Sequence, residues 1–203
     1  MRLFLPAAAV AAVLSAAACT SGPSAPVDSQ AYVKQITEAR AFKDKTFREE
    51  PEPIPRDKVA TLLPLRYYPP DPSYSTPAEL KLANERPVFV MPTSTGKPRR
   101  MERVGVLEFL LQGQPMSLGA FVEEGEKLEV LFVPFTDLTT GKETYPAGRY
   151  LEIRPTSTGF YNVDFNTAFN PTCAYNPSYE CPYPPASNRL KVEIRAGEKA
   201  PGA

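Results

Sequence analysis

The sequence predicts a mainly β protein: a single antiparallel β-sandwich or partly open β-barrel, with one N-terminal α-helix and a Pro-rich arm that wraps it. Three observations carry this. From Pro87 onward apolar residues recur at every second position, in short runs broken by turn residues every ~8–12 positions. The chain holds 24 prolines in 203 residues, over twice the usual ~5%, and proline inside a helix removes a donor and clashes. One long stretch, residues 29–49, is free of both Pro and Gly.

In that stretch Tyr32, Val33, Ile36, Ala39 and Phe42 or Lys43 fall on one 3.6-residue stripe, so 29–50 reads as a helix packed on its own domain. Pro51, Pro53 and Pro55 end it. Residues 51–86 read as an extended arm burying Leu62, Leu63, Leu65, Tyr67 and Tyr68. The β domain, 87–199, begins with a short strand at Val88–Met91 and a turn at Thr95–Pro98. Strands follow at 103–111, 116–122, 128–135, 149–154 and 160–165, with turns at 112–115, 123–126 and 139–141. Leu190, Val192 and Ile194 alternate with Arg189, Lys191, Glu193 and Arg195, the cleanest one-face pattern in the chain and a predicted last strand. No helical period separates the strands, which argues against a parallel α/β sheet.

The N-terminus reads as an address. Met1-Arg2 is followed by an apolar run from Leu3 to Leu14 and by the small residues Ser15-Ala16-Ala17-Ala18 before Cys19. This is an export signal over 1–18, shorter than the ~20 apolar residues that span a bilayer. It also resembles a bacterial lipoprotein signal, in which a Cys after small residues receives a diacylglyceryl group and becomes the new N-terminus. Cys19 stands at that place, and 19–28 reads as a lipidated tether. The expected location is therefore exported and membrane-anchored in the bacterial cell envelope, the membrane being contacted through the lipid on Cys19. Ordinary secretion with cleavage after Ala18 is the alternative.

Composition removes several function classes. With no His there is no Ser-His-Asp triad, no Cys-His dyad and no His-ligated metal or haem. The 23 basic and 23 acidic residues cancel, giving no basic face for nucleic acid. No cofactor and no metal site is expected.

Several blocks then align with a known family. These are Leu131-Phe132-Val133-Pro134-Phe135-Thr136-Asp137-Leu138-Thr139-Thr140-Gly141-Lys142-Glu143-Thr144-Tyr145, Gly148-Arg149-Tyr150-Leu151, Asp164-Phe165-Asn166, Asn170-Pro171-Thr172-Cys173, Asn188-Arg189-Leu190 and Ala196-Gly197-Glu198-Lys199. From about Phe42 to Lys199 the chain resembles the bacterial domain of unknown function numbered 1684. The resemblance implies a single domain in an envelope setting and implies little about activity.

Three polar constellations are candidate sites. Asp137, Thr139, Gly141, Glu143, Tyr145 and Arg149 are one: either a carboxylate site or a hairpin turn in which Arg149 pairs with Glu143 across the strands. Two carboxylates are too few for an ordinary calcium loop. Asp164, Asn166, Asn170 and Asn188 are the second, able to bind a sugar or peptide or to satisfy loop backbone. The loop 169–185 is the third. Its Cys173 and Cys181 are spaced unlike a redox or zinc motif, and in an exported protein they most simply form a disulfide. Tyr175, Tyr179 and Tyr183 then offer stacking faces, or pack as a lid over an open barrel end.

The reading that follows leans away from catalysis. It is a membrane-anchored envelope domain binding a saccharide, peptide or protein partner, with Tyr145, Arg149, Asn166, Asn170, Tyr175 and Tyr179 as candidate contacts. One alternative is a hydrolase using Asp137, Glu143 and Asp164, since paired carboxylates cleave glycosidic bonds without His. The other is a purely structural lipoprotein.

Overall fold

The computed structural model describes residues 29–50 and 52–202; the export signal, Cys19 and its tether lie outside the described residues. Helix α1 (Ser29–Glu49) leads into a proline-rich segment containing one short helix, α2 (Val59–Leu62). Seven strands follow: β1 (Ser75–Leu82), β2 (Val88–Met91), β3 (Arg99–Leu111), β4 (Gln114–Glu123), β5 (Leu131–Phe135), β6 (Arg149–Ile153) and β7 (Tyr161–Asp164). They form one antiparallel sheet in the order β6-β5-β4-β3-β1-β7, with β2 paired to β3. The sheet curls until its edge strands meet at a single bridge, Pro155 to Tyr161, so it is a partly open barrel. Among the described residues no helix is long and apolar enough to cross a membrane.

A bulge in β3 drives the curl. The β3–β4 register shifts between Arg103 and Gly105, and an extra residue there increases local twist. Gly105 is required beside it, because a Cβ would collide with the Lys81 carbonyl of β1. The concave face is a continuous apolar core of Leu107, Phe109, Leu118, Ala120, Val133, Phe135, Leu151, Val163 and Phe165 among others. The convex face carries two smaller clusters: Met91, Met101 and Phe121, and Tyr150 with Cys173 and Cys181.

Two expectations are corrected. The arm does not run extended to residue 86, because its last part is β1, an interior strand between β3 and β7. Pro77 masks it in the sequence. Proline is tolerated because the ladder to β3 begins only at Ala78, while the Thr76 hydroxyl donates to Leu110 O at 2.8 Å across the gap. Conversely, 190–195 is not a strand. Its alternating burial holds, with Leu190 and Ile194 inside, but its backbone partners belong to the loop after β5. Leu190 N–H donates to Thr136 O and Leu138 N–H to Val192 O, which makes one parallel bridge and no ladder. The segment plugs the barrel end beyond β5.

Helix α1 docks mainly through polar contacts. Tyr32 and Ile36 are its buried apolar residues, and the stripe continues through Lys43, while Phe42 is 72% exposed. Arg40 donates to Tyr68 O (2.8 Å) and Asn166 O (3.1 Å) and stacks on the Tyr67 ring.

Candidate functional site

The Asp137 constellation is an internal brace. Phe135 and Arg149 face each other in the β5–β6 register, so the Arg149 side chain points into the barrel, and Asp137 lies two residues beyond Phe135 on the same side. Arg149 is 1% exposed. It donates to Asp137 Oδ2 at 3.0 Å and to the carbonyls of Ile194, Ala196 and Glu198, which leaves only Nε without a protein acceptor. Asp137 Oδ1 accepts from Thr139 N, Thr139 Oγ1 and Ile194 N. Burial lowers the Arg149 pKa, opposed by the Asp137 charge. The expected Arg149–Glu143 pair does not form: Glu143 sits on the turn outside the barrel and pairs with Arg195 at 3.2 Å.

The carboxamides also serve the backbone. Asn188 bridges β4 and β5, whose direct pairing is the single couple Phe121–Phe132. It accepts from Gly119 N (2.8 Å) and donates to Gly119 O (2.9 Å) and Pro134 O (2.8 Å). Asn166 exchanges two hydrogen bonds with the backbone of Asp71. Asp164 accepts from the Tyr32 hydroxyl and from Asn166 N, tying α1 to the end of β7. Asn170 N donates to Glu198 Oε2, and its side chain donates to Lys199 O. Glu198 went unassigned in the sequence. It is 1% exposed and also accepts from Lys43 of α1 and from the Tyr175 hydroxyl, both at 2.5 Å. Burial and the Glu198 charge raise the Tyr175 pKa well above its ordinary value.

The loop 169–185 lies against the convex face of the sheet, not over the barrel end. Tyr175 is buried between Phe47 of α1 and the cluster of Ile54, Leu63 and Leu65, with no free ring face for a ligand. Tyr179 bonds Glu52, and Tyr183 is exposed. Cys173 and Cys181 are brought together as thiols, Cys173 N donating to Cys181 Sγ at 3.0 Å. The Cys181 thiol bonding to it draws the Cys173 thiol down to about 7, against burial, with help from Ser94 and Tyr145. The same contact and burial push Cys181 up.

Beside this loop lies a cavity of about 700 Å³, which Cys181 lines and none of the sequence-derived catalytic or ligand-contact candidates does. Its floor is the convex face: Met101, Phe132 and Tyr150, with Phe169 and Pro182 from the loop. Phe132 packs edge-on against Tyr150 at 4.8 Å, and Tyr150 edge-on against Phe169 at 5.9 Å. Its rim carries Glu123, Glu126, Glu129, Glu152 and Glu180 against only Arg99 and Lys127. Arg99 is paired with Glu123, and Lys127 lies 4.0 Å from Glu129. Among the described residues no three Cys, Asp or Glu side chains are grouped to hold a metal ion.

The profile of the family described as "Protein of unknown function (DUF1684)" matches residues 61–199. The chain belongs to this family. The DUF1684 match covers β1–β7, the brace, the loop 169–185 and the cavity, and leaves α1 outside. A solution NMR structure of an uncharacterized protein from Haloarcula marismortui has the same fold, with a TM-score of 0.65 and 34% sequence identity over 84% of this chain and 95% of that one. No curated protein matches the chain.

Proposed function

We propose that this DUF1684 protein is an exported, lipid-anchored component of the bacterial cell envelope whose β domain binds a ligand without catalysing a reaction. The observation that carries the binding role is the convex-face cavity. It has the size of a small-molecule site, a pre-formed aromatic floor and a rim of charged groups. The signal-like segment ending at Cys19 supports the anchor. The carboxylate hydrolase draws no comparable support. Asp137 is committed to Arg149, Asp164 to Tyr32 and Asn166, Glu143 to Arg195, and none of the three lines a main cavity.

In an oxidising envelope the adjacent Cys173 and Cys181 thiols join as a disulfide, two electrons and two protons passing to a thiol oxidant. The bond pins one cavity wall, and closing so short a loop adds about 2.5 kcal/mol.

Native mass spectrometry of protein purified from its own membranes tests all three statements. The expected spectrum shows a chain beginning at a diacylglycerylated Cys19, lacking two hydrogens relative to the dithiol, with a small molecule retained. An unmodified Cys19 thiol refutes the anchor. A reduced Cys173–Cys181 pair refutes the disulfide. A chain carrying no ligand from its own membranes, and taking up none from an extract of them, refutes the binding role.

A further inference from the structure

The cavity also states what kind of ligand it fits, and this step rests on the binding role proposed above. We infer that the convex-face cavity is a site for a small organic cation, an ammonium or guanidinium group carried on an apolar body.

Three features of the cavity agree. The rim carboxylates arrive from different elements: Glu123 ends β4, Glu126 and Glu129 lie on the connection to β5, Glu152 is on β6, and Glu180 is on the loop. Among the described residues neither Glu126 nor Glu152 has an ion-pair partner, although Arg99 and Lys127 stand on the same rim committed to Glu123 and Glu129. The cavity therefore holds excess negative charge that no ion pair among the described residues neutralises, and a cation entering it gains that field without breaking an ion pair. The floor provides the second half of the recognition. Phe132 lies directly opposite Glu152 in the β5–β6 register, which places a carboxylate beside an aromatic ring. Tyr150 stands edge-on to both Phe132 and Phe169, and Lys43 of α1 already sits over the Phe169 ring at 5.2 Å, so the half-buried Phe132 is the ring offered to the cavity. Aromatic faces attract ammonium groups within ~6 Å, and the ligand's apolar body replaces water on the half-buried Val130, Phe132 and Phe169. The third feature bears on the kind of cation: among the described residues no three carboxylates group within coordinating reach of one point, so the rim is not a dedicated metal cage. Organic cations need no such convergence, because their charge is spread and met by ring faces as well as by oxygens.

The probe is benzyltrimethylammonium, titrated into the mature chain and followed by NMR shifts of Phe132, Tyr150 and Phe169. Neopentylbenzene, its neutral isostere, and phenylacetate, an anion, serve as comparators. The expected result is saturable binding at or below ~10 mM, weakened by added salt, with the two comparators at least tenfold weaker. The exposed pair Glu126→Gln and Glu152→Gln, made together, weakens the cation roughly fivefold, equal to ~1 kcal/mol, while the fold is unchanged. Equal binding of the neutral isostere or the anion at the same three rings overturns the cationic class and leaves the binding role standing. A cation that binds the double variant as tightly as the parent also overturns the class. Failure of all three probes, together with ligand-free protein from native membranes, overturns both.

Discussion

The domain treats charge in opposite ways at its two polar regions. At the barrel end Arg149 and Asp137 are almost fully enclosed, and each is held by several partners from its own chain. At the convex-face cavity the carboxylates of Glu126 and Glu152 stand at the surface with no ion-pair partner among the described residues, the rim cations Arg99 and Lys127 being paired with Glu123 and Glu129. The barrel end is the more conspicuous in the sequence, with Asp137, Glu143, Tyr145 and Arg149 close together, yet it is a brace. The cavity is scattered over the chain and is the region left with unspent charge. Density of functional-looking residues is therefore a poor guide here; what separates the two is whether the partner is already in the chain.

The sharpest way to break this comparison is to remove Arg149. Arg149→Met leaves Asp137 buried without its cation and three carbonyls without a donor, and is expected to destabilise the domain by about 3–5 kcal/mol in denaturant unfolding. The double variant Asp137→Leu with Arg149→Met is expected to recover part of that loss, because a buried pair is costly mainly when broken on one side. A single variant as stable as the parent would mean that the barrel end is not a brace.

Asn188→Ala is the next largest. Three hydrogen bonds that join β4 to β5 disappear, and the Gly119 amide stays buried at the barrel wall, for an expected loss of about 2 kcal/mol. Because β4 and β5 pair directly only at Phe121–Phe132, hydrogen exchange at β5 is expected to rise more than at β3. Uniform protection across both strands would refute the bridging role.

How much of this was legible follows from these residues. Six strands, β2 to β7, showed as short apolar or alternating runs between turn residues, because one side of each faces a core and the other faces water or a smaller cluster. The interior strand β1 did not, since Pro77 breaks its signal while the Thr76 hydroxyl covers the missing donor. The run 190–195 gave the best alternation and no ladder, because period two reports burial and not pairing. The Asp137–Arg149 constellation was visible but its pairing was not. Only the β5–β6 register places Arg149 on the inner face with Asp137 and leaves Glu143 outside. The cavity was invisible: each of its glutamates reads alone as the wet side of a strand or turn, and only the packing of loop 169–185 on Tyr150 gathers them.

Alkaline pH tests the buried phenols of the whole domain without mutation. Burial first, then the Glu143 charge, raises the Tyr68 phenol to about 12, and burial with the Cys173 neighbour raises Tyr145 to about 12. Tyr32, Tyr67, Tyr150 and Tyr175 are raised further, with burial the first cause in each. A folded-state pKa above the ordinary value of ~10 favours the neutral phenol in the fold. That contribution is fully present below pH ~10 and is lost as pH rises toward 12, so the denaturant midpoint is expected to fall across this window. A midpoint flat up to pH ~12 would refute it.

The smallest effect is the one that completes the contrast. Glu126→Gln and Glu152→Gln remove two surface carboxylates that brace nothing, so the expected change in unfolding free energy is within about 0.5 kcal/mol, of either sign. A slight gain is the more informative result, because it shows the rim carboxylates repelling one another in the empty cavity. The same two substitutions are expected to weaken binding of the cationic probe. A residue that costs stability nothing and binding severalfold is the reverse of Arg149. Were the double variant to unfold as readily as Arg149→Met, the glutamate rim would belong to the fold, and the two regions would differ in exposure alone.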